Sequence, residues 1–519
     1  MMERTVNPYD EGIVLTAAMR ISAGDIIHRD FYANYGPAEF YLLSWLFKLF
    51  GQQVLVERVL DICIRAGIVT LIYSSLVVYS RQWIALTATA ICTLWLGTVG
   101  PSGYPIYPTL LLAMGSTLML AKAFTHPAEI WRLFAAGALT GLSALFRYDV
   151  GFMAFAAHVL SAALIISLAR KDPNPIFQVT TKKLFFYISG AALPVCLIIL
   201  WYLKTGALHS FIHDIILFPI QYYASTRGLP FPVFSRFFTG FGFILFSIYM
   251  PIIICYAAIF GLCGDQTTGF SYQEKRFNYE RKTYGRTVLI IFLTFLVAMF
   301  YLKSIVRVSI EHVQLSLLPS IVLLAILFEI TKREKIFFNG FLAVLATALI
   351  STALLSGYKS YFYGYNLVLN DVKGFFEPAD KKSIPMFFTD DDRTAAIQFI
   401  QQNTSPEQRT FIGLARHDKI FANDVSAYFL TNRLPATKWH HFDPGLQTST
   451  EIQNEIIANL EASKPQYIWI ESTWDGMREP NDSAKSSGIK ILDEYIANYY
   501  QRFQTFGTIS ILQRKHESK

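Results

Sequence analysis

The chain has 519 residues, of which 53% are hydrophobic, 15% aromatic and 16% charged. Soluble globular proteins carry roughly 25% charged residues, and a soluble chain of this length could not bury so much apolar surface. The composition therefore argues against a soluble enzyme, a nucleic-acid-binding protein and a disordered scaffold. It indicates a protein that crosses a membrane several times.

The charged residues are distributed unevenly along the chain. The last 140 residues hold 18 Asp and Glu and 16 Lys and Arg, which is the charge density of a soluble domain. We therefore predict three regions: an outer-face loop with amphipathic or re-entrant helices at 1–57, a transmembrane helical domain at 58–356, and an extracytoplasmic soluble α/β domain at 357–519.

The first of these regions has two short apolar segments. An amphipathic stretch at 13–27 follows the acidic pair Asp10 and Glu11, and residues 41–50 are apolar and aromatic but too short to cross a bilayer. We predict interfacial or re-entrant helices here. Because residues 1–12 carry no signal peptide that would export the acidic pair, we expect the gene to encode a further helix upstream.

The second region contains long apolar stretches. A membrane-spanning helix needs about 20 apolar residues. Ten stretches meet or approach this length: 58–79, 83–99, 106–124, 131–147, 151–169, 184–203, 238–262, 287–302, 313–331 and 336–356. They predict an α-helical polytopic membrane protein with about ten transmembrane helices.

Basic residues differ between the two sets of connecting loops. One set carries fifteen Lys and Arg, and the positive-inside rule places it in the cytoplasm. The other set carries six: Arg147, Lys204, Arg227, Arg236, Lys303 and Arg307. The N-terminal segment, the loops of this second set and the C-terminal domain are then predicted to face outward.

The C-terminal region alternates helical and strand patterns. The predicted helices are 391–402, 423–432, 451–461 and 488–500, and the predicted strands are 410–414, 466–471 and 507–513. The acidic run at 390–392 is better explained as a helix cap than as a nucleotide-sugar metal motif. His440, His441 and Asp443 could bind a metal, although histidine pairs in loops usually do not.

Unusual polar residues collect on the predicted outer face. Each has an ordinary explanation, such as a helix N-cap for the acidic pair or an interfacial anchor for a single arginine. Their coincidence on one face, however, indicates a substrate path, because ionisable groups at membrane depth are costly. Those that we assign to the site are Asp10, Glu11, Tyr35, Arg147, Asp149, Arg227, Arg307 and His312; His209, His213, Asp214 and Glu311 lie on the same predicted face.

Carboxylates and arginines at a membrane surface suit one chemistry. Arginines can bind the phosphate of a lipid-linked sugar and stabilise its charge as it departs, and a carboxylate can take the proton of an incoming hydroxyl or amine. We therefore predict that Arg307, Arg147 and Arg227, together with His312, bind the donor phosphate. Asp10 is favoured over Glu11 as the catalytic base.

Residues 7–51, NPYDEGIVLTAAMRISAGDIIHRDFYANYGPAEFYLLSWLFKLFG, resemble the first outer loop of the GT-C membrane glycosyltransferases. The resemblance extends to about residue 356. It is to the bacterial branch of protein-mannosyltransferase-like enzymes, which includes Rgt-type transferases of lipopolysaccharide cores and the aminoarabinose transferase of lipid A. In that family the acidic pair follows the first transmembrane helix, and one of its members is the proposed base.

The resemblance implies a hexosyl- or pentosyltransferase of the bacterial inner membrane. Its donor would be a polyprenyl-phosphate sugar, and its acceptor a glycan, a lipid or a protein, with no nucleic-acid partner. Asp10 and Glu11 would be the catalytic residues of the 1–57 loop, and Asp149 and Tyr35 would support the site. No cofactor is fixed by the resemblance, and a divalent cation is left open.

A secondary transporter or lipid flippase is the alternative interpretation, and an assembly subunit of another membrane enzyme is a third. A transporter should place ionisable groups near the middle of the bilayer, on broken helices related by an internal repeat. Here the polar residues cluster at one surface and no repeat is visible, which favours the enzyme.

Overall fold

A computed structural model describes residues 6–98, 100, 102–126, 129–169, 181–238, 242–264, 277–330, 336–371 and 391–515. Two helices occupy the N-terminal region: α1 (Asp10–Ser22) and α2 (Pro37–Phe50). Pro37 starts α2 at a position where its missing N–H costs no hydrogen bond. Neither helix is long enough to cross a bilayer, as the sequence predicted for this region.

Ten further helices form the apolar bundle. They are α3 (Val54–Tyr79), α4 (Gln82–Thr98), α5 (Ile106–Thr125), α6 (Trp131–Phe146), α7 (Tyr148–Ala169), α8 (Thr181–Thr205), α11 (Met250–Gly264), α12 (Phe277–Ser304), α13 (Ile310–Ile330) and α14 (Ile336–Asp371). Within the described ranges, seven of them are long and apolar enough to cross a membrane, and α4, α6 and α11 are shorter. The prediction of a polytopic helical membrane protein is confirmed.

The predicted span at 238–262 differs most from the structure. Residues Gly242–Ile248 form a 3-10 segment, and α11 begins only at Met250. Pro251 explains this start, because proline is accommodated in the first turn of a helix and not in its interior. The predicted domain limit after residue 356 falls inside α14.

Close helix contacts in the bundle depend on small residues. Gly137 and Gly141 lie one turn apart on α6, and a Cβ at either position would come within 2.2 Å of a backbone oxygen of α8. This is the Gly-x-x-x-Gly spacing that lets transmembrane helices approach closely. It brings the backbones of α6 and α8 into close contact.

A shorter helical segment lies between α8 and α11. It consists of α9 (Leu208–Ile212), a π-helical turn (His213–Leu217), α10 (Phe218–Thr226) and a 3-10 turn (Phe234–Phe238). His28 Nδ1 lies 3.1 Å from Asp214 Oδ2 in this segment, and both side chains are buried. The contact ties the loop after α1 to the segment that leads to Arg227.

The C-terminal domain is α/β, as predicted. Its helices are α15 (Asp391–Asn403), α16 (Ser426–Thr431), α17 (Thr450–Ser463) and α18 (Ile491–Tyr499), and its strands are β1 (Phe411–Leu414), β2 (Tyr467–Glu471), β3 (Tyr500–Phe506) and β4 (Ile509–Arg514). The sheet order is β1-β2-β4-β3, with β1 and β2 parallel and the other pairs antiparallel. The sequence did not predict β3, whose mostly exposed edge lacks an apolar alternation.

Helix α1 is bound to this domain along its length. Ser426 N donates to Pro8 O at 3.0 Å, and Thr16 Oγ1 donates to Val425 O at 2.9 Å. Gly12 lies so close that a Cβ there would stand 2.4 Å from the Ser426 backbone nitrogen. The C-terminal domain therefore fixes the position of the helix that carries the acidic pair.

Candidate active site

The site is built around the first turn of α1. Asn7 Oδ1 accepts hydrogen bonds from the backbone N–H groups of Tyr9 and Asp10, both at 2.9 Å. In return, Glu11 Oε2 accepts one from the Asn7 N–H at 2.8 Å. This reciprocal arrangement resembles a capping box. It satisfies N–H groups that the helix start would leave without partners, and it fixes where Asp10 stands.

The two members of the acidic pair have different surroundings. Glu11 is fully buried and forms an ion pair with Arg58 at the start of α3, with Nη2–Oε distances of 2.7 and 2.9 Å. The Asp10 carboxylate is partly buried and forms no direct hydrogen bond or ion pair with any residue that the structure describes. Of the two, only Asp10 is available to a substrate.

Burial raises the pKa of Asp10 from 3.8 to about 6. Attraction by Arg227 and Arg307 works against this rise, and repulsion by Asp443 adds to it. The carboxylate is consequently ionised at neutral pH, yet it is about a hundred times more basic than an ordinary aspartate. Such a pKa suits a general base that works near neutral pH.

Arg227 and Arg307 lie side by side. The backbone of Leu229 pairs with the segment that carries Arg307, through the bond from Leu229 N to Val306 O at 3.4 Å. Arg307 Nη1 also lies 3.4 Å from Arg227 O. Two loops that are 80 residues apart in sequence thus present two guanidinium groups to the same region, and both groups act on the pKa of Asp10.

Each of these arginines meets a carboxylate of the C-terminal domain. Arg227 Nη2 lies 3.2 Å from Asp443 Oδ1. Arg307 Nη1 donates to Glu479 Oε2 at 2.9 Å, while its Nη2 donates to Oε1. In the described part of the chain, Arg227 Nη1 is buried and has no hydrogen-bond partner. Arg227 therefore retains one nitrogen that can still donate a hydrogen bond, whereas both terminal nitrogens of the Arg307 guanidinium donate to Glu479.

The remaining predicted residues extend the cluster. Asp149 Oδ2 accepts from both Arg147 Nη2 and Lys303 Nζ, each at 3.0 Å. The guanidinium of Arg147 also lies over the Tyr35 ring, 5.4 Å from its centroid, and over Tyr104. All three charges lie at helix ends on one side of the bundle: Arg147 follows α6, Asp149 is in the first turn of α7, and Lys303 is in the last turn of α12.

His312 joins this group through Tyr104. Its Nδ1 lies 2.7 Å from Ser309 Oγ, and its Nε2 lies 3.4 Å from the Tyr104 hydroxyl. The hydroxyl of Tyr104 is in turn 3.5 Å from Arg147 Nη1. The structure thus brings seven of the eight predicted site residues into one neighbourhood, whereas the Glu11 carboxylate is enclosed by Arg58.

Sequence reasoning missed the contribution of the C-terminal domain. Asp443 is buried and accepts a hydrogen bond from the Tyr9 hydroxyl at 2.8 Å. Burial is the largest influence on the pKa of Asp443 and would raise it, but Arg227, His441, the Tyr9 hydrogen bond and Arg307 together outweigh burial and lower the pKa below 3.8. The sequence feature that pointed to Asp443 was a carboxylate in the aromatic run WHHFDP. From the sequence we considered this run only as a possible metal site. Glu479, in a polar loop, gave no signal.

The neighbouring histidines do not complete a metal site. His440 and His441 are buried, and His441 Nε2 is 3.8 Å from Asp443 Oδ2. Across the residues that the structure describes, no group of three or more His, Cys, Asp or Glu could hold a metal ion. The divalent cation that the resemblance left open stays a prediction.

No protein-family model matches the chain, and no curated protein matches it. Among solved structures, the chain is similar to ArnT from Cupriavidus metallidurans bound to undecaprenyl phosphate, with 12% identity, 98% of this chain and 94% of that chain covered, and a TM-score of 0.49. ArnT in the apo state gives 11% identity, the same coverage and a TM-score of 0.41.

The chain is also similar to the Archaeoglobus fulgidus oligosaccharyltransferase, with 10% identity, 91% of this chain and 65% of that chain covered, and a TM-score of 0.44. ArnT and this oligosaccharyltransferase are both GT-C glycosyltransferases, the family that the sequence resembles.

Proposed function

We propose that the chain is a membrane glycosyltransferase of the GT-C type. It would transfer a hexose or pentose from a polyprenyl-phosphate donor to a glycan, lipid or protein acceptor. The observation that carries this proposal is the Asp10 carboxylate, which has no direct partner, a raised pKa and two arginines in its electrostatic surroundings. A base beside a phosphate-binding group is what glycosyl transfer from a phosphate requires.

The reaction follows from these groups. Asp10 takes the proton of the acceptor hydroxyl or amine as the acceptor atom bonds to the anomeric carbon of the sugar. The bond from that carbon to the phosphate oxygen breaks, and its electron pair stays on the phosphate. Arg227 and Arg307 stabilise the added negative charge. The proton leaves Asp10 for solvent before the next turnover.

The polar residues in the middle of the bundle favour the enzyme over a transporter. His158, on α7, has Nε2 2.8 Å from Thr117 Oγ1 and Nδ1 2.9 Å from the Tyr187 hydroxyl. These contacts satisfy the ring within the protein and join three helices. The Asp10 carboxylate lies instead at the end of the bundle that contacts the C-terminal domain.

We place the site on the outer face of a bacterial inner membrane, because the fifteen-to-six distribution of basic residues supports that orientation. Reporter fusions after Lys335 and after Lys381 should lie in opposite compartments, with the second outside the cytoplasm. Cytoplasmic signals from both fusions would contradict the orientation.

Donor use is tested with the purified full chain in detergent. A panel of undecaprenyl-phosphate-linked hexoses and pentoses is offered together with membrane lipid and glycan extracts, and release of undecaprenyl phosphate is measured. We expect release from at least one donor, and release that is about 100-fold slower or more from the same donor with Asp10→Asn. If the chain binds neither undecaprenyl phosphate nor any panel member, the proposal fails.

A further inference from the structure

Two carboxylates of the C-terminal domain form ion pairs with Arg227 and Arg307, the arginines that bind the donor phosphate in the proposed function. Asp443 and Glu479 have side chains that are 1% and 10% exposed, and their partners Arg227 and Arg307 are 18% and 21% exposed. Charges shielded in this way are costly unless they are paired. The C-terminal domain thus supplies the counter-ions that keep both arginines in place when no phosphate is bound.

Both carboxylates are themselves held in position. Asp443 is anchored by the Tyr9 hydroxyl at 2.8 Å, and its own N–H donates to Gln447 Oε1, also at 2.8 Å. Glu479 accepts from Asn481 Nδ2 at 3.0 Å, and the same amide donates to Gly228 O at 2.8 Å. The loop that carries Glu479 is therefore fastened to the backbone beside Arg227.

The two pairs engage their arginines differently. Asp443 uses one oxygen on Arg227 and leaves Arg227 Nη1 without a partner in the described structure. Glu479 uses both oxygens on Arg307. A phosphate binds the planar guanidinium fork through two oxygens in the same manner as a carboxylate. Arg227 can therefore accept a phosphate while it keeps Asp443, but Arg307 must first release Glu479.

We propose that Glu479 is a positioning residue that occupies the fork of Arg307 and is exchanged for the donor phosphate, so that the C-terminal domain sets the affinity for the lipid phosphate. The proposal rests on the proposed function. It assigns Asp443 a different part, which is to hold Arg227 throughout the cycle. After transfer, return of Glu479 to Arg307 helps to expel the polyprenyl phosphate product.

The proposal predicts opposite effects on binding and turnover. Glu479→Gln keeps the length of the side chain and one acceptor oxygen but removes the charge that competes with phosphate. In the variant, the phosphate has to displace only a neutral hydrogen bond from Arg307, and not a charge-assisted bidentate contact. Undecaprenyl phosphate should therefore bind about tenfold more tightly. Turnover should fall while the donor KM also falls, since the product leaves more slowly.

The matched control lies on the same loop. Asp482 forms an exposed ion pair with Lys485 at 2.7 Å, with side chains 50% and 76% exposed. Asp482→Asn also removes one negative charge from the loop, but within the described residues the ion pair of Asp482 is with Lys485 and not with an arginine. It should leave both the affinity for undecaprenyl phosphate and the donor KM unchanged.

The experiment measures binding of undecaprenyl phosphate, and of uncharged undecaprenol, to the full chain in detergent. The variants are Glu479→Gln, Asp482→Asn, Arg307→Ala and the double variant Arg307→Ala/Glu479→Gln. We expect tighter phosphate binding for Glu479→Gln alone, no change in undecaprenol binding, and equal affinity for Arg307→Ala with or without the second change. This non-additivity locates the effect of Glu479 at Arg307.

Two results would overturn the inference. Affinity in Glu479→Gln that is equal to or weaker than in the wild type would show a structural role only. If Glu479→Gln does not fold, Glu479→Asp replaces it; its shorter carboxylate should also bind phosphate more tightly, and unchanged binding would overturn the inference. The proposed function fails separately, if the wild type does not bind undecaprenyl phosphate or binds it no better than Arg307→Ala does.

Discussion

The two ends of the helical bundle use the same residue types in different ways. At the end away from the C-terminal domain, Arg81 and Arg286 share Glu329, at 3.1 and 3.3 Å; Arg81 is 57% exposed, whereas Arg286 and Glu329 are each 15% exposed. At the other end, Arg227 and Arg307 are mostly buried and meet carboxylates from a separate domain. Exposed ion pairs contribute about 0–1 kcal/mol, whereas buried charges are costly to maintain. Burial alone does not separate the two ends, since Arg286 is at least as buried as Arg227. They differ because the arginines near Asp10 pair with carboxylates of another domain and act on the pKa of Asp10.

The largest expected difference between the two ends concerns carboxylates. Asp10→Asn removes the proposed base with little change of shape, and it should lower turnover about 100-fold or more. Glu329→Gln, at the opposite end, should leave turnover near normal. Rates of undecaprenyl phosphate release from purified variants measure both effects, and thermal unfolding checks that each variant folds.

The neighbour of Asp10 gives an internal control. Glu11→Gln keeps a hydrogen bond to Arg58 but weakens a buried ion pair, so the variant should be less stable while it retains more activity than Asp10→Asn. Near-normal transfer by both folded variants would place the active site elsewhere.

The second difference concerns arginines. Arg307→Ala removes a bidentate contact to the donor phosphate, and donor use should fall by roughly ten- to a hundredfold. Arg307→Lys should restore only part of it, because an ammonium lacks the planar fork. Arg81→Ala, the matched change at the opposite end, should have no effect on the donor KM. Equal losses from Arg81→Ala and Arg307→Ala would remove the distinction between the ends.

The third test uses pH. With the pKa of Asp10 raised to about 6, kcat/KM should fall about tenfold per pH unit below that value, as the base becomes protonated. The effect of pH on folding stability runs in the opposite direction to its effect on kcat/KM: Asp10 favours the folded state more at low pH than at high pH. Because the folded pKa lies above 3.8, the contribution of Asp10 to stability is fully present below about pH 3.8 and is lost as the pH rises through about 6.

Asp10→Asn should for this reason unfold at a higher temperature than the wild type at pH 8, and the difference should disappear near pH 4. The measurement is thermal unfolding at both pH values. A variant less stable than the wild type at pH 8 would show that Asp10 is a stabilising residue and not a functional one.

The smallest expected effect concerns packing. In Gly12→Ala the new Cβ would stand 2.4 Å from the Ser426 backbone nitrogen, so α1 must shift from the C-terminal domain. Overpacking of this kind costs about 1–3 kcal/mol of unfolding free energy, and turnover should fall because Asp10 moves with the helix. Gly261→Ala is the control, since the atoms nearest to its Cβ would be Phe338 and Leu327 side-chain atoms at 3.7–3.9 Å.

The features of the fold that could be predicted are those that one continuous segment of sequence determines. Continuous apolar runs gave the helices of the bundle, because the length needed to cross a membrane is a property of one segment. The same local reasoning extended the last predicted helix through Tyr500, where β3 begins. That strand exists because it pairs with β4, and pairing with a distant segment leaves little trace in a polar edge sequence.

The sequence by itself determined the membrane domain, the C-terminal α/β domain and the set of polar loops predicted to share one face. Only the tertiary structure decided which charges meet. Asp443 reaches Tyr9 across 434 positions and Glu479 reaches Arg307 across 172. Another tertiary contact distinguishes Asp10 from Glu11, which are adjacent in sequence, because Arg58 forms an ion pair with Glu11 only. Hydrophobic pattern acts along one helix, whereas ion pairing depends on which loops the packed bundle brings together.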